Sequence, residues 1–203
     1  SSGNQKAVNK LHEMSFLVYN LVIFPMIAGI LIVNKDFVNF FLGQDFQDAR
    51  YAIAIMVFRM FFIGWTNIMG IQILIPHNKN REFMLSTTIP AVFSVGLNLL
   101  LIPPLGYIGA SIVSVATEGL VWLIQLYFTR SYLKEVKILP SMLKILLAAL
   151  LMYGALYSVQ AFMHFSSVVN VLIYSLLGFL VYGGLVLVLR VLDFQELKSV
   201  LKK

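Results

Sequence analysis

Two residues of this chain carry charge inside stretches that are otherwise apolar: Glu118 in SVATEGLVW and Arg59 in YAIAIMVFRMFF. A carboxylate alone in hydrocarbon takes up a proton, finds a cation or faces water. An arginine there presents a planar fork of N–H donors suited to carboxylate or phosphate. Together they can form an ion pair. Alternatively, the arginine can bind an anionic group while the acid orients it or carries a cation. Ser111, Ser114 and Glu118 follow i, i+3, i+7 spacing and share one helical stripe. Asn67 and Gln72 add polarity after Arg59, and Ser94 and Asn98 do so in the next apolar run; with Ser111 and Ser114 these four are candidates to line a polar cavity around the charged pair. Hydroxyl and amide residues of this kind also serve helix packing and hydrogen bonding between helices.

These groups do not assemble into a hydrolytic or group-transfer centre. The sequence has no nucleotide-binding loop, activated nucleophile or carboxylate cluster for a metal, and it contains no cysteine. His12, His77 and His164 are far apart and read as residues near the membrane surface. The expectation is a transporter rather than an enzyme, without catalytic residues, metal or organic cofactor. A coupling ion, H+ or Na+, is the one small cofactor left open.

Charges this deep need spans to hold them. Of the 203 residues, 60% are hydrophobic and 12% are charged, against about 25% charged in soluble domains. The fold class expected is an all-α polytopic membrane protein. Six transmembrane helices are predicted at about 14–33, 50–75, 83–102, 107–128, 142–162 and 167–189. They form a transmembrane region over 14–189, between an N-terminal segment at 1–13 and a tail at 190–203. If all six cross, twelve of the fifteen Lys and Arg residues fall on one side. The positive-inside rule makes that side, with both ends of the segment, cytoplasmic. The net charge of +6 is thus read as membrane topology rather than nucleic-acid binding.

Counted from the opposite side, Arg59 lies about 14 Å deep and Glu118 about 17 Å deep at 1.5 Å per residue. Pro25 and Pro90 fall inside predicted helices and are candidates for kinks. Pro103-Pro104 followed by LGYIGA predicts a tight antiparallel hairpin, and NKDFVNFFLGQDFQDA predicts a segment on the outer membrane surface. The polar start, SSGNQKAVNK, has no apolar signal core and reads as an internal piece of a longer chain.

VGLNLLLIPPLGYIGASIVSVATE, FFLGQDFQDARYAIAIM and MGIQILIPHNKNREFMLSTTIPAVFSVGLN together span roughly residues 35–120. In this order they resemble the polysaccharide (oligosaccharide-lipid) flippases, relatives of the multidrug and toxin extrusion transporters. The resemblance implies the last six helices of a fourteen-helix, two-lobe protein in a bacterial cytoplasmic membrane. It implies translocation, by alternating access, of undecaprenyl-diphosphate-linked oligosaccharide or polysaccharide units for capsule or O-antigen export. The partners implied are the lipid-linked glycan, membrane lipids, the missing N-terminal part of the transporter, and a glycan polymerase and glycosyltransferases of the pathway. Arg59 then suits the anionic diphosphate, with Glu118 beside it. A cation-coupled exporter of small drugs and a non-transport membrane scaffold are the alternatives.

Overall fold

The computed structural model describes residues 2–162 and 165–191. His164, Lys198, Lys202, Lys203 and most of the predicted tail lie outside the described residues. Among the described residues every regular element is helical. Five helical stretches are long and apolar enough to cross a membrane.

Helix α1, Ser2–Phe41, is twice the predicted length. It absorbs residues assigned to the N-terminal segment and part of the predicted surface segment. Protein contacts, rather than hydropathy, carry it past the apolar run. Buried Asn9 donates to Glu135 Oε2 at 3.0 Å, and Glu13 Oε1 accepts the Lys137 N–H at 2.7 Å. At the other end Asn34 donates to the Arg50 carbonyl at 2.7 Å, and Asn170 to Asp36 Oδ2 at 3.2 Å.

The predicted helix at 50–75 is built from three hydrogen-bond ladders. These are α2 (Ala49–Met56), α3 (Arg59–Asn67) and a π-helix (Ile68–Leu74). Between α2 and α3 the rungs shorten to three residues, with Met60 N bonded to Val57 O and Phe61 N to Phe58 O, each at 3.2 Å. After α3 they lengthen, and Ile75 N reaches Gly70 O at 3.1 Å.

Helix α4, Asn80–Leu133, has 54 residues but is not straight. Gly106 has φ 53° and ψ −132°, two residues after Pro103-Pro104, and the chain reverses there. Gln125 Nε2 consequently reaches Ser86 Oγ at 3.1 Å across 39 residues of sequence. A first arm, 80–105, and a second arm, 107–133, therefore run antiparallel. A Cβ on Gly109 would lie 2.3 Å from the Leu101 carbonyl oxygen. Both sides of that contact are backbone, so no flexible side chain can yield. We expect Gly109→Ala to lower stability by about 1–3 kcal/mol, read as a lower unfolding temperature in detergent. Gly96→Ala, with nothing within 4 Å, should leave it unchanged or raised.

Helices α5 (Leu139–Phe162) and α6 (Ser167–Val188) pack with α1 around Ile145, Ala148, Met152, Leu156, Tyr174 and Ala28. The small residues let backbones approach closely. On its other side α1 meets α3 and the π-helix through Phe16, Trp65 and Met69. Outward faces carry residues such as Leu99, Leu100 and Phe179, each more than two-thirds exposed, as expected where lipid is the solvent.

The interhelical bonds sort the helix ends into two rims. One holds the start of α1, the 75–79 turn and the α4–α5 connection, joined through Asn9–Glu135, Glu13–Lys137 and Ser15–Gln72. Lys6, Lys10, Lys79, Arg81, Lys134 and Lys137 lie there. The opposite rim holds the end of α1, the start of α2, the Gly106 turn and the start of α6, joined through Asn34–Arg50, Tyr107–Asp48 and Asn170–Asp36.

Candidate functional site

Arg59 is the first residue of α3, and Glu118 lies midway along the second arm of α4. The structure brings them together. Arg59 Nε donates to Glu118 Oε1 at 3.2 Å and Nη2 donates to the same oxygen at 2.8 Å. The side chains are 39% and 20% exposed, so the pair is not sealed within the bundle. Oε2 and Nη1 take no bond from the described residues. One acceptor and one donor edge remain for water or a polar ligand.

Helix α3 is held from behind by α1. The Tyr19 hydroxyl donates to the Met60 carbonyl and accepts the Gly64 N–H at 3.2 Å. The Met60 carbonyl and the Gly64 N–H are the two ends of one four-residue step of the helix, and the Tyr19 hydroxyl touches both. One turn on, Trp65 Nε1 donates to buried Asn20 Oδ1 at 2.9 Å, and Phe16 packs on Trp65 with ring centroids 4.7 Å apart. Arg59 is thus carried on a nine-residue helix fixed to α1 on one side and to the second arm on the other. Sequence reasoning did not select Tyr19, Asn20, Gly64 or Trp65. The available signal was adjacent tyrosine and asparagine inside an apolar helix, where each needs a partner.

The remaining predicted polar residues do not converge on the pair. Ser111 donates to the Tyr107 carbonyl at 2.9 Å and Ser94 to the Ala91 carbonyl at 2.8 Å, each within its own helix. Exposed Gln72, in the π-helix, accepts from Ser15 Oγ at 2.9 Å. Asn67 is exposed, and Ser114 and Asn98 are half-buried. None of the six bonds to Arg59 or Glu118. Pro25 and Pro90 lie inside helices that continue past them, and the non-helical dihedrals of α4 occur at Gly106 instead. His12 is buried and His77 packs on Tyr132 with ring centroids 4.2 Å apart, both near the basic rim. Among the described residues no three His, Asp or Glu side chains gather as metal ligands.

Two apolar cavities flank α1. One, of about 410 Å³, lies between α1, α3 and α5 and is lined by Phe24, Phe58, Phe62, Leu146 and Tyr153 among others. The other, of about 580 Å³, lies between α1 and α6 around Pro25, Gly29, Tyr174 and Gly178. Arg59 and Glu118 line neither. The polar cavity expected around the pair is therefore not either of these two spaces, although Phe58 and Phe62 flank Arg59 in sequence and border the first.

The chain is 23% identical over 206 aligned residues to an uncharacterized membrane protein of Methanocaldococcus jannaschii, covering 99% of this chain and 39% of that protein. It is 29% identical over 134 residues to a protein of Escherichia coli named an O-antigen transporter, covering 61% of this chain and 31% of the relative. It is 21% identical over 203 residues to a protein of Haloferax volcanii named a probable low-salt glycan biosynthesis flippase, covering 100% and 43%. No protein-family profile and no solved structure matches it. The chain spans less than half the length of these relatives, and two of the three carry names of glycan transport.

Proposed function

We propose that this chain forms part of a transporter that moves a lipid-linked glycan, of the undecaprenyl-diphosphate kind, across a cytoplasmic membrane. The observation that carries the reading is the Arg59–Glu118 pair. An arginine inside a span-length apolar stretch is bonded through two nitrogens to one carboxylate oxygen, with both side chains partly open. The guanidinium is the recognition group for a diphosphate or a sugar acid. Glu118 orients it and is the group on which a coupling proton or sodium ion would act. The apolar spaces beside α1 suit acyl chain rather than headgroup. The remainder of the transporter supplies the facing wall, and alternating access carries the headgroup between rims. By the positive-inside rule the basic rim is cytoplasmic. The names of two relatives support transport rather than enzymatic chemistry.

The test is reconstitution of the full-length transporter in vesicles with a fluorescent lipid-diphosphate glycan, followed by quenching from outside. Protein-dependent loss of protection is expected. No movement from correctly folded protein under proton and sodium gradients would reject the reading. A second reading, cation-coupled export of small amphipathic drugs, is favoured by the two apolar cavities. It predicts efflux of a lipophilic cation that the glycan lipid does not inhibit.

A further inference from the structure

Helix α1 runs on through Pro25, which has no N–H to give to the Leu21 carbonyl one turn before it. That carbonyl is met from another helix. The Tyr182 hydroxyl of α6 donates to it at 2.8 Å. Tyr182 is buried, and a phenol inside an apolar helix needs an acceptor. The carbonyl freed by proline and the hydroxyl satisfy each other, which is how a neighbouring helix makes proline tolerable inside a span. Helix α6 holds α1 a second time at the opposite rim, where Asn170 donates to Asp36 Oδ2 at 3.2 Å. Pro25 lies between these two ties. Beside it is the cavity of about 580 Å³, lined by Leu21, Pro25 and Gly29 of α1 and by Gly178, Tyr182 and Gly183 of α6. A Cβ on Gly29 or Gly183 would meet nothing within 4 Å, so open space lies along both helices there. The half of α1 before Pro25 also carries Tyr19 and Asn20, which hold α3 and with it Arg59.

We propose that Pro25, the Leu21 carbonyl and Tyr182 form a latched hinge in α1. With the hydroxyl in place α1 stays a single rod, braced by α6 on both sides of its weak point. When the hydroxyl lets go, the rung that proline removed is left open and the helix bends there. The half before Pro25 then tilts against α6 into the adjoining cavity. The Asn170–Asp36 bond keeps the other half in place. Tyr19 and Asn20 pass the tilt to α3, which makes Tyr182 a positioning residue for Arg59. The inference goes beyond the transport reading and holds whatever the cargo, because it rests on the missing rung, the bond that replaces it and the space beside it.

The test is double electron–electron resonance on spin-labelled full-length protein in lipid nanodiscs, with labels at exposed positions. Leu11→Cys with Val188→Cys reports the ends of α1 and α6 at the basic rim, and Phe41→Cys with Leu172→Cys reports the opposite ends. Tyr182→Phe should broaden the first distance distribution or add a second maximum, and leave the second pair unchanged. Adding Pro25→Ala returns an N–H to the Leu21 carbonyl, so Pro25→Ala/Tyr182→Phe should recover the narrow wild-type distribution. Ile63→Cys on α3 with Val188→Cys should change along with the first pair. The proposal is overturned by an unchanged first pair in Tyr182→Phe, by equal broadening at both ends, by a double variant as broad as Tyr182→Phe, or by an α3 pair that does not follow. Unfolding temperatures give a second reading. The fall caused by Tyr182→Phe should shrink at least twofold when Pro25→Ala is present, and an equal fall with and without Pro25→Ala rejects the latch.

Discussion

Replacing Arg59 with methionine in the full-length transporter should lower glycan-lipid translocation by about ten- to a hundredfold. Hydrogen bonds to charged groups contribute about 1.5–3 kcal/mol each, and 1.4 kcal/mol is a factor of ten. Methionine keeps the length and apolar stem of the side chain while removing every donor. The loss of stability should stay near 1 kcal/mol, because the side chains are 39% and 20% exposed and a pair so placed contributes little to the fold. Arg59→Lys should fall between wild type and Arg59→Met, since it keeps the charge but not the fork. The double variant Arg59→Met/Glu118→Met separates recognition from structural adhesion. If the pair were adhesion alone, two matched apolar side chains would restore transport. If Arg59 binds the cargo, the double variant stays as low as Arg59→Met. The measurement is the initial rate of translocation at equal folded protein.

Gly64→Ala should be the most damaging single methyl addition in the described chain. The new Cβ would lie 1.8 Å from Tyr19 Cζ and 2.0 and 2.3 Å from the two adjoining ring carbons. That ring cannot turn aside freely, because its hydroxyl is bonded to the Met60 carbonyl and the Gly64 N–H. Either the ring leaves and both bonds are lost, or α3 moves and draws Arg59 off Glu118. Overpacking costs about 1–3 kcal/mol and each lost bond about 0.5–1.5 kcal/mol. The sum is about 2–6 kcal/mol, visible as a large fall in unfolding temperature and in yield from the membrane. Gly154→Ala, with open space around it, should behave as wild type. Removing the obstructing ring with Tyr19→Ala should recover part of the loss in Gly64→Ala, although Tyr19→Ala alone is destabilising. That non-additivity separates direct contact from two independent defects.

The fold class and the charged pair were legible because each rests on a cost that any bilayer imposes. Apolar runs of span length declare helices, and an acid and an arginine at similar computed depth declare a partnership that the 2.8 Å contact realises. The reversal at Gly106 was legible for a local reason, since Pro103-Pro104 followed by glycine is turn chemistry. What escaped depends on neighbours distant in sequence. The Tyr19 contact with Met60 and Gly64 joins residues 41 and 45 apart and, like the change of rung length along 49–74, leaves no mark on hydropathy. The length of α1 escaped because Asn9 and Glu13 look like solvent-facing residues until the α4–α5 connection is placed beside them. Ser94 and Ser111 looked like cavity residues because a hydroxyl satisfied by its own helix carries the same letter as one that faces a ligand.

At 40 residues α1 is about 60 Å long, roughly twice the hydrocarbon thickness. Its first turns precede the apolar run and act as a strut bracing the link from α4 to α5. A truncation that trims residues 2–13 as a dispensable leader would remove the acceptor for the Lys137 N–H and the donor to Glu135 together. The damage would show in the link itself, as faster proteolysis between Leu133 and Leu139, while the oily middle of α1 stayed in place.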